Sequence, residues 1–144
     1  MERYQTINDV LVTLFHDIMD IEGKALITDE FKDLTMNDMH VIEAIGLEEP
    51  KNMSAVAKAL SVTVGTLTIS INSLVKKAYV ERVRSVQDRR VVLLSLTEKG
   101  RSAFEHHRQF HEDMVHAVMD HLEDEEVDAL VKALGKLQGY FHSF

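Results

Sequence analysis

The sequence contains no cysteine and no tryptophan, a single proline and only nine aromatic residues. Without thiols there is no disulfide framework, thiolate metal centre, redox pair or cysteine nucleophile. Nowhere do about 18 uncharged apolar residues run together, and the N-terminus lacks a basic start followed by an apolar run and a small-residue cleavage site. These absences predict a cytoplasmic protein with no membrane partner. A Gly-rich phosphate loop, a nucleophile elbow and an HExxH motif are missing too, so an enzymatic reading has no motif behind it. At 144 residues and 45% hydrophobic content, the chain is sized for one globular domain.

Charge is what the sequence does have, and it is segregated. The net formal charge is −8, which by itself argues against an acidic partner such as nucleic acid. Between Lys51 and Arg101, however, ten Lys and Arg face three acids, Glu81, Asp88 and Glu98, while the remainder carries six basic residues against 21 acids. A basic middle between acidic arms points to one segment that meets a polyanion.

Hydrophobic periodicity predicts a mostly α chain with one hairpin. Ile7, Leu11, Leu14, Ile18, Ile21 and Ala25 follow three- and four-residue steps, the mark of a long amphipathic helix from Arg3 to about Thr28. Thr35, with Asp38 three residues on, reads as the N-cap of a second helix ending at Gly46. Ser54 can cap a third, AVAKAL, and Thr63 a fourth, VGTLTISINSLVKK, separated by a Ser-Val-Thr turn at helix-turn-helix spacing. The segments YVERVRS and VVLLSL, joined by a polar stretch, read as a two-stranded hairpin. Thr97 caps a fifth helix to about Leu122. A sixth begins at Glu123 or Asp124, with Val127, Leu130, Val131, Leu134, Leu137 and Phe141 on one face.

The fourth helix divides as a DNA-reading helix does, because short polar side chains on one face fit a major groove about 12 Å wide. Leu67, Ile71, Leu74 and Val75 share its inner face, leaving Gly65, Thr66, Thr68, Ile69, Asn72 and Lys76 outward. Together with Ser54 and Thr63, these polar residues and Gly65 are candidates for phosphate or base contact. Arg82, Arg84, Arg89 and Arg90 cluster on or beside the hairpin tip, suited to an adjacent minor groove. Asp88, two residues before Arg90, can hold one guanidinium pointing outward. The bland alternatives are two packed amphipathic helices and a solvated hairpin tip.

The order of these elements, the turn between Ser54 and Val75, the wing with Asp88-Arg89-Arg90 and the following Leu96-Thr97-Glu98-Lys99-Gly100-Arg101 resemble the MarR-type winged helix-turn-helix regulators along essentially the whole chain. Within that family, FKDLTMNDMHVIEAIG, VTVGTLTISINSL, RSVQDRRVV and FHEDMV are most similar to repressors of fatty-acid synthesis. The resemblance implies a mostly α (α+β) winged helix-turn-helix lobe over residues 35–100. It implies a helical dimerisation module from residues 1–34 and 101–144, and a homodimer on a pseudo-palindromic double-stranded operator. For the subgroup it implies long-chain acyl–acyl carrier protein as corepressor, with no required cofactor. The wide apolar stripes of the terminal helices independently call for a second copy.

Eight histidines raise a metal alternative. His107 and His111 lie at i and i+4 on one helix face, and His40 with Glu22 completes three nitrogens and a carboxylate, a set that suits zinc. These positions resemble those of zinc-responsive MarR-type regulators. The structural alternative is a hydrogen-bonded interhelical seam. His106, His116, His121 and His142 have no spacing argument and read as surface or dimer-interface residues. For an acyl effector, Leu14, Ile18, Met39, Phe104 and Met114 are candidates to line an adaptable apolar cleft.

Overall fold

The structure, a computed structural model, describes residues 2–26, 28 and 30–144. The expected first helix forms as α1 (Glu2–Asp9) and α2 (Phe15–Leu26), joined without a break by a π-helical turn at Val10–Leu14. The expected end at Thr28 adjoins residues 27 and 29, which lie outside the described set; Thr28 itself is not helical.

Helix α3 (Met36–Ile45) begins as expected, because Thr35 Oγ1 accepts from the Asp38 amide while the Asp38 carboxylate accepts from the Thr35 amide, both at 3.0 Å. It stops at Gly46, whose φ of 73° is the left-handed conformation that favours glycine. A two-residue strand, β1 (Lys51–Asn52), follows and had no counterpart in the sequence reading. Helix α4 (Met53–Leu60) starts earlier than expected: Asn52 Oδ1 accepts from the Ala55 amide at 2.7 Å, so Asn52 is the cap and Ser54 lies within the first turn. Helix α5 (Val64–Lys76) is capped by Thr63 as expected.

Strands β2 (Val80–Arg84) and β3 (Val92–Leu96) form the expected hairpin, and β1 adds to its far side in the antiparallel order β1-β3-β2. Helix α6 (Glu98–Asp120) opens with Thr97 Oγ1 accepting from the Gly100 amide, and α7 (Asp124–His142) closes the chain.

Contacts divide the chain within α6 into two units, Met1–Arg108 and Gln109–Phe144. The first holds the core, in which Met39, Ile42, Ile45, Val56, Leu67, Ile71, Leu74, Tyr79 and Leu94 are fully buried. These residues come from α3, α4, α5, β3 and the position just before β2, so packing fixes both α5 and the hairpin on one base. In the second unit Val118, Leu130, Val131, Leu134, Leu137 and Phe141 remain exposed; in the first, Ile7, Leu11, Leu14 and Ile21 do. Among the described residues no single helix is long and apolar enough to cross a membrane. The bent pair α4–α5 passes that test by composition, but its apolar residues Val56, Leu67, Ile71 and Leu74 fill the core.

Candidate nucleic-acid interface

Helix α4 ends at Ser61, whose left-handed φ of 56° turns the chain, and the Val62 amide donates to the Ala57 carbonyl before Thr63 starts the next helix. The axes of α4 and α5 thereby turn through 105°, within the usual range of a helix-turn-helix. The inner residues Leu67, Ile71 and Leu74 are buried and Val75 is half-buried, while Gly65, Thr66, Ile69 and Asn72 are exposed and Thr68 half-buried. A Cβ at Gly65 would meet nothing closer than Thr63 Oγ1 at 3.9 Å, so the start of α5 is open to close approach.

Several polar groups on this face are already engaged. Thr63 Oγ1 accepts from the Thr66 amide and donates to Thr66 Oγ1 at 3.0 Å, and Thr68 Oγ1 donates to the Val64 carbonyl at 2.8 Å. The Arg82 guanidinium, reaching over from β2, donates to Asn72 Oδ1. Lys76 is exposed at the far end of α5, about 15 Å along the axis from Thr66 at the usual helical rise.

The hairpin tip is organised by its own side chains. The Arg90 guanidinium makes a two-pronged contact with Asp88, at 3.1 Å to Oδ1 and 3.2 Å to Oδ2, and the Arg90 amide donates to Oδ1 at 3.0 Å. The guanidinium, then the amide, holds the Asp88 carboxyl below its ordinary pKa range. Arg84 Nη1 donates to the Arg89 carbonyl at 2.8 Å, and the Ser85 amide to the Val91 carbonyl at 2.9 Å. The tip therefore presents exposed Arg89 and Arg90 from a fixed backbone, as the Asp88–Arg90 spacing predicts. Ser54 lines a shallow recess with Asn52, Met53, Arg90, Val91 and Val92, which sets the start of α4 beside the wing.

Of the candidate metal residues, Glu22 and His107 meet: Nε2 of the buried imidazole lies 2.9 Å from Glu22 Oε1. His40 is exposed, and the second oxygen on the same Nε2, at 2.6 Å, belongs to Glu43 of α3. Sequence reasoning passed over Glu43; its one signal was its place three residues after His40 on the same helix. His111 lies one turn beyond His107, in the second unit. His106, expected at the surface or the dimer interface, is half-buried: its Nε2 lies 3.0 Å from the Ala25 carbonyl and its ring 5.2 Å from that of Phe31. His116, His121 and His142 are exposed.

The residues expected around an acyl chain differ in burial. Met39 is sealed in the core, Leu14 is exposed and Ile18 half-buried on the first helix. Phe104 lines a recess with Gly46, Leu47, Glu48, Lys51 and Arg108. Met114 belongs to the second unit, in a groove with Ala117, Val118, His121 and Leu122.

Residues 24–107 match the family model of the SarA/Rot transcriptional regulators. YpoP, an uncharacterized HTH-type transcriptional regulator of Bacillus subtilis, is 26% identical over 106 residues, 74% of this chain and 75% of its own. The regulator SarZ of Staphylococcus saprophyticus is 39% identical over 69 residues, so the match spans about half of each chain. Among solved structures, Streptococcus pneumoniae FabT in complex with DNA superposes with a TM-score of 0.91 and 42% identity, covering 97% of this chain and 98% of that one. A mutant of Staphylococcus aureus MepR bound to an oligodeoxyribonucleotide shares the fold at 20% identity and a TM-score of 0.66, over 94% and 97% of the two chains. With these likenesses extending over the helix-turn-helix, the wing and the flanking helices, the chain belongs to the MarR-like winged-helix family of transcriptional regulators.

Proposed function

We propose that this protein is a repressor that binds a pseudo-palindromic duplex as a homodimer, with α5 in the major groove and the hairpin tip along the neighbouring minor groove. The observation that carries this reading is the pairing of an outward α5 face, on which short polar residues surround Ile69, with a wing whose arginines are held on a fixed backbone. Ser54, Thr63 and Thr66 would meet phosphates, and Arg84, Arg89 and Arg90 would supply charge, with Asp88 aiming Arg90. The exposed apolar stripes of α1, α2 and α7 would be covered by the second copy, which also places two recognition helices about one DNA turn apart.

On the same reading, the regulated genes are those of fatty-acid synthesis and long-chain acyl–acyl carrier protein is the corepressor. This rests on the likeness to fatty-acid-synthesis repressors, FabT among them. A corepressor works by binding the DNA-competent spacing of the two lobes better than the other spacings. The test is fluorescence anisotropy of a labelled A·T-rich pseudo-palindrome at two salt concentrations, with and without acyl carrier protein charged with a long-chain acyl group. Specific binding that weakens steeply with salt and tightens with the acylated carrier supports the reading. Binding no tighter than to scrambled duplex sinks it.

Zinc control is a second reading, favoured by the convergence of Glu22 and Glu43 on His107. An imidazole nitrogen flanked by carboxylate oxygens is a donor set that zinc accepts once Nε2 releases its proton. Glu22 and His107 would then be ligands, with Glu43 in the place expected of His40. Elemental analysis after chelation and reloading, alongside zinc-dependent anisotropy, separates this from the lipid reading.

A further inference from the structure

Ile69 is 73% exposed at the centre of the outward face of α5. Among the described large apolar residues only Val86 at the wing tip and Phe144 at the chain end are more exposed. Isoleucine is among the residue types most often buried, and Ile69 belongs to no stripe: the positions one turn away are Gly65, Thr66, Asn72 and Ser73. An isolated β-branched side chain on a well-packed helix has one strongly preferred rotamer and a fixed position. Around it, several polar groups are partly engaged within the protein. The Thr68 hydroxyl proton goes to Val64, the Thr63 proton to Thr66, and Asn72 Oδ1 accepts from Arg82. Oδ1 keeps a second lone pair, so Asn72, exposed on the same face, still offers its amide protons and one acceptor site to base edges.

Ile69 itself can discriminate bases only by shape and apolar contact, and the one apolar group that a base pair offers in the major groove is the thymine C5-methyl. We infer that Ile69 is a specificity-determining residue that packs on a thymine methyl in each half-site, with Asn72, held by Arg82, contributing a donor contact beside it. This inference rests on the DNA-binding reading above.

The test is a uracil scan. An operator is first selected from a random duplex library with the full-length protein, and each thymine is then replaced by uracil, which removes the methyl and nothing else. For the native protein, uracil at one symmetric pair of positions is expected to weaken binding by about tenfold, the scale of one buried methyl group in each of two half-sites. Ile69→Ala is expected to bind the thymine and uracil operators equally while keeping the native affinity for non-specific duplex. Its fold is reported by circular dichroism. Tight operator binding with every uracil substitution neutral overturns the role of Ile69, as does a uracil effect that persists in Ile69→Ala. Failure of the library to yield any preferred duplex overturns the DNA-binding reading itself, and is distinguishable because no operator then exists to scan.

Discussion

The Tyr79 hydroxyl donates to Asp33 Oδ1 at 2.6 Å, tying the residue before β2 to the segment between α2 and α3. Lysines close the cluster around this bond. Lys99 Nζ sits 4.4 Å from the centroid of the Tyr79 ring and 3.9 Å from Asp33 Oδ2, while Lys77 Nζ donates to the Asp33 carbonyl at 2.7 Å and to Asp38 Oδ2 at 3.0 Å. The ends of α5, β2 and α6 are thus pinned to the start of α3.

A pH dependence follows from this cluster. The Tyr79 hydrogen bond, helped by Lys99, the Asp33 backbone and Lys77, outweighs burial and holds the Asp33 carboxyl below its usual 3.8. Burial and then the Asp33 contact raise the Tyr79 hydroxyl well above its usual 10.0. A carboxyl lowered in the folded state adds stability above the unfolded value and loses it as pH falls through the folded one. A hydroxyl raised in the folded state adds stability below pH 10.0 and loses it as pH rises toward the folded value. Urea denaturation across pH is expected to show both flanks in the native protein. Tyr79→Phe should flatten them and lower stability by about 1 kcal/mol at neutral pH.

Gly100 tests the packing of α6 on the sheet. A Cβ there would lie 2.1 Å from the Tyr79 carbonyl oxygen, which already accepts from the Thr97 amide. Gly100→Ala must push backbone from backbone and is expected to cost about 3 kcal/mol or more, read as a loss of thermal midpoint. Gly23→Ala, where nothing stands within 4 Å, is expected to be neutral or to stabilise by up to about 1 kcal/mol.

The two candidate caps of α4 separate in the same way. Asn52→Ala removes the acceptor of the Ala55 amide and is expected to cost about 1 kcal/mol in chemical denaturation. Ser54→Ala should leave stability within about 0.5 kcal/mol and act, if anywhere, on DNA affinity.

At the wing, Arg90→Ala is expected to weaken operator binding about tenfold or more with the fold intact. Asp88→Ala, which frees the guanidinium instead of deleting it, should give a smaller loss. Anisotropy at fixed salt ranks the two, and an Arg90→Ala protein that binds like the native one removes this arginine from the interface.

The histidine seam gives a stability contrast. His107→Ala leaves the carboxylates of Glu22 and Glu43 facing each other without their shared imidazole and is expected to destabilise the lobe by about 2–4 kcal/mol. His40→Ala, at an exposed position, should be near neutral in the same assay.

What the sequence made legible was local. The capping box at Thr35, the cap at Thr63, the inner face of α5 and the Asp88–Arg90 contact all depend on residues two to four apart, where spacing alone dictates geometry. Asn52 and β1 were hidden because a two-residue strand has no periodicity, and because Asn52 and Ser54 are both good caps two positions apart. The Tyr79–Asp33–Lys77–Lys99 cluster joins residues more than 40 positions apart, and Arg82 reaches Asn72 only once the hairpin has folded onto α5. Glu43 was read past because a carboxylate on a helix surface is ordinarily solvated; only the arrival of α6 gives it a partner.

The π turn at Val10–Leu14 alters what the first apolar stripe means. Holding about one residue more than an α turn, it rotates α1 against α2 by roughly 100°. Residues that read as one continuous band therefore look in two directions. Leu26, Glu22 and the Ala25 carbonyl keep α2 seated on the lobe, whereas Tyr4 and Ile7 are swung by about a quarter of a revolution toward whatever meets α1. Chain length inside this turn is thus a phase adjustment: one residue fewer re-aims α1 and leaves the seat of α2 untouched.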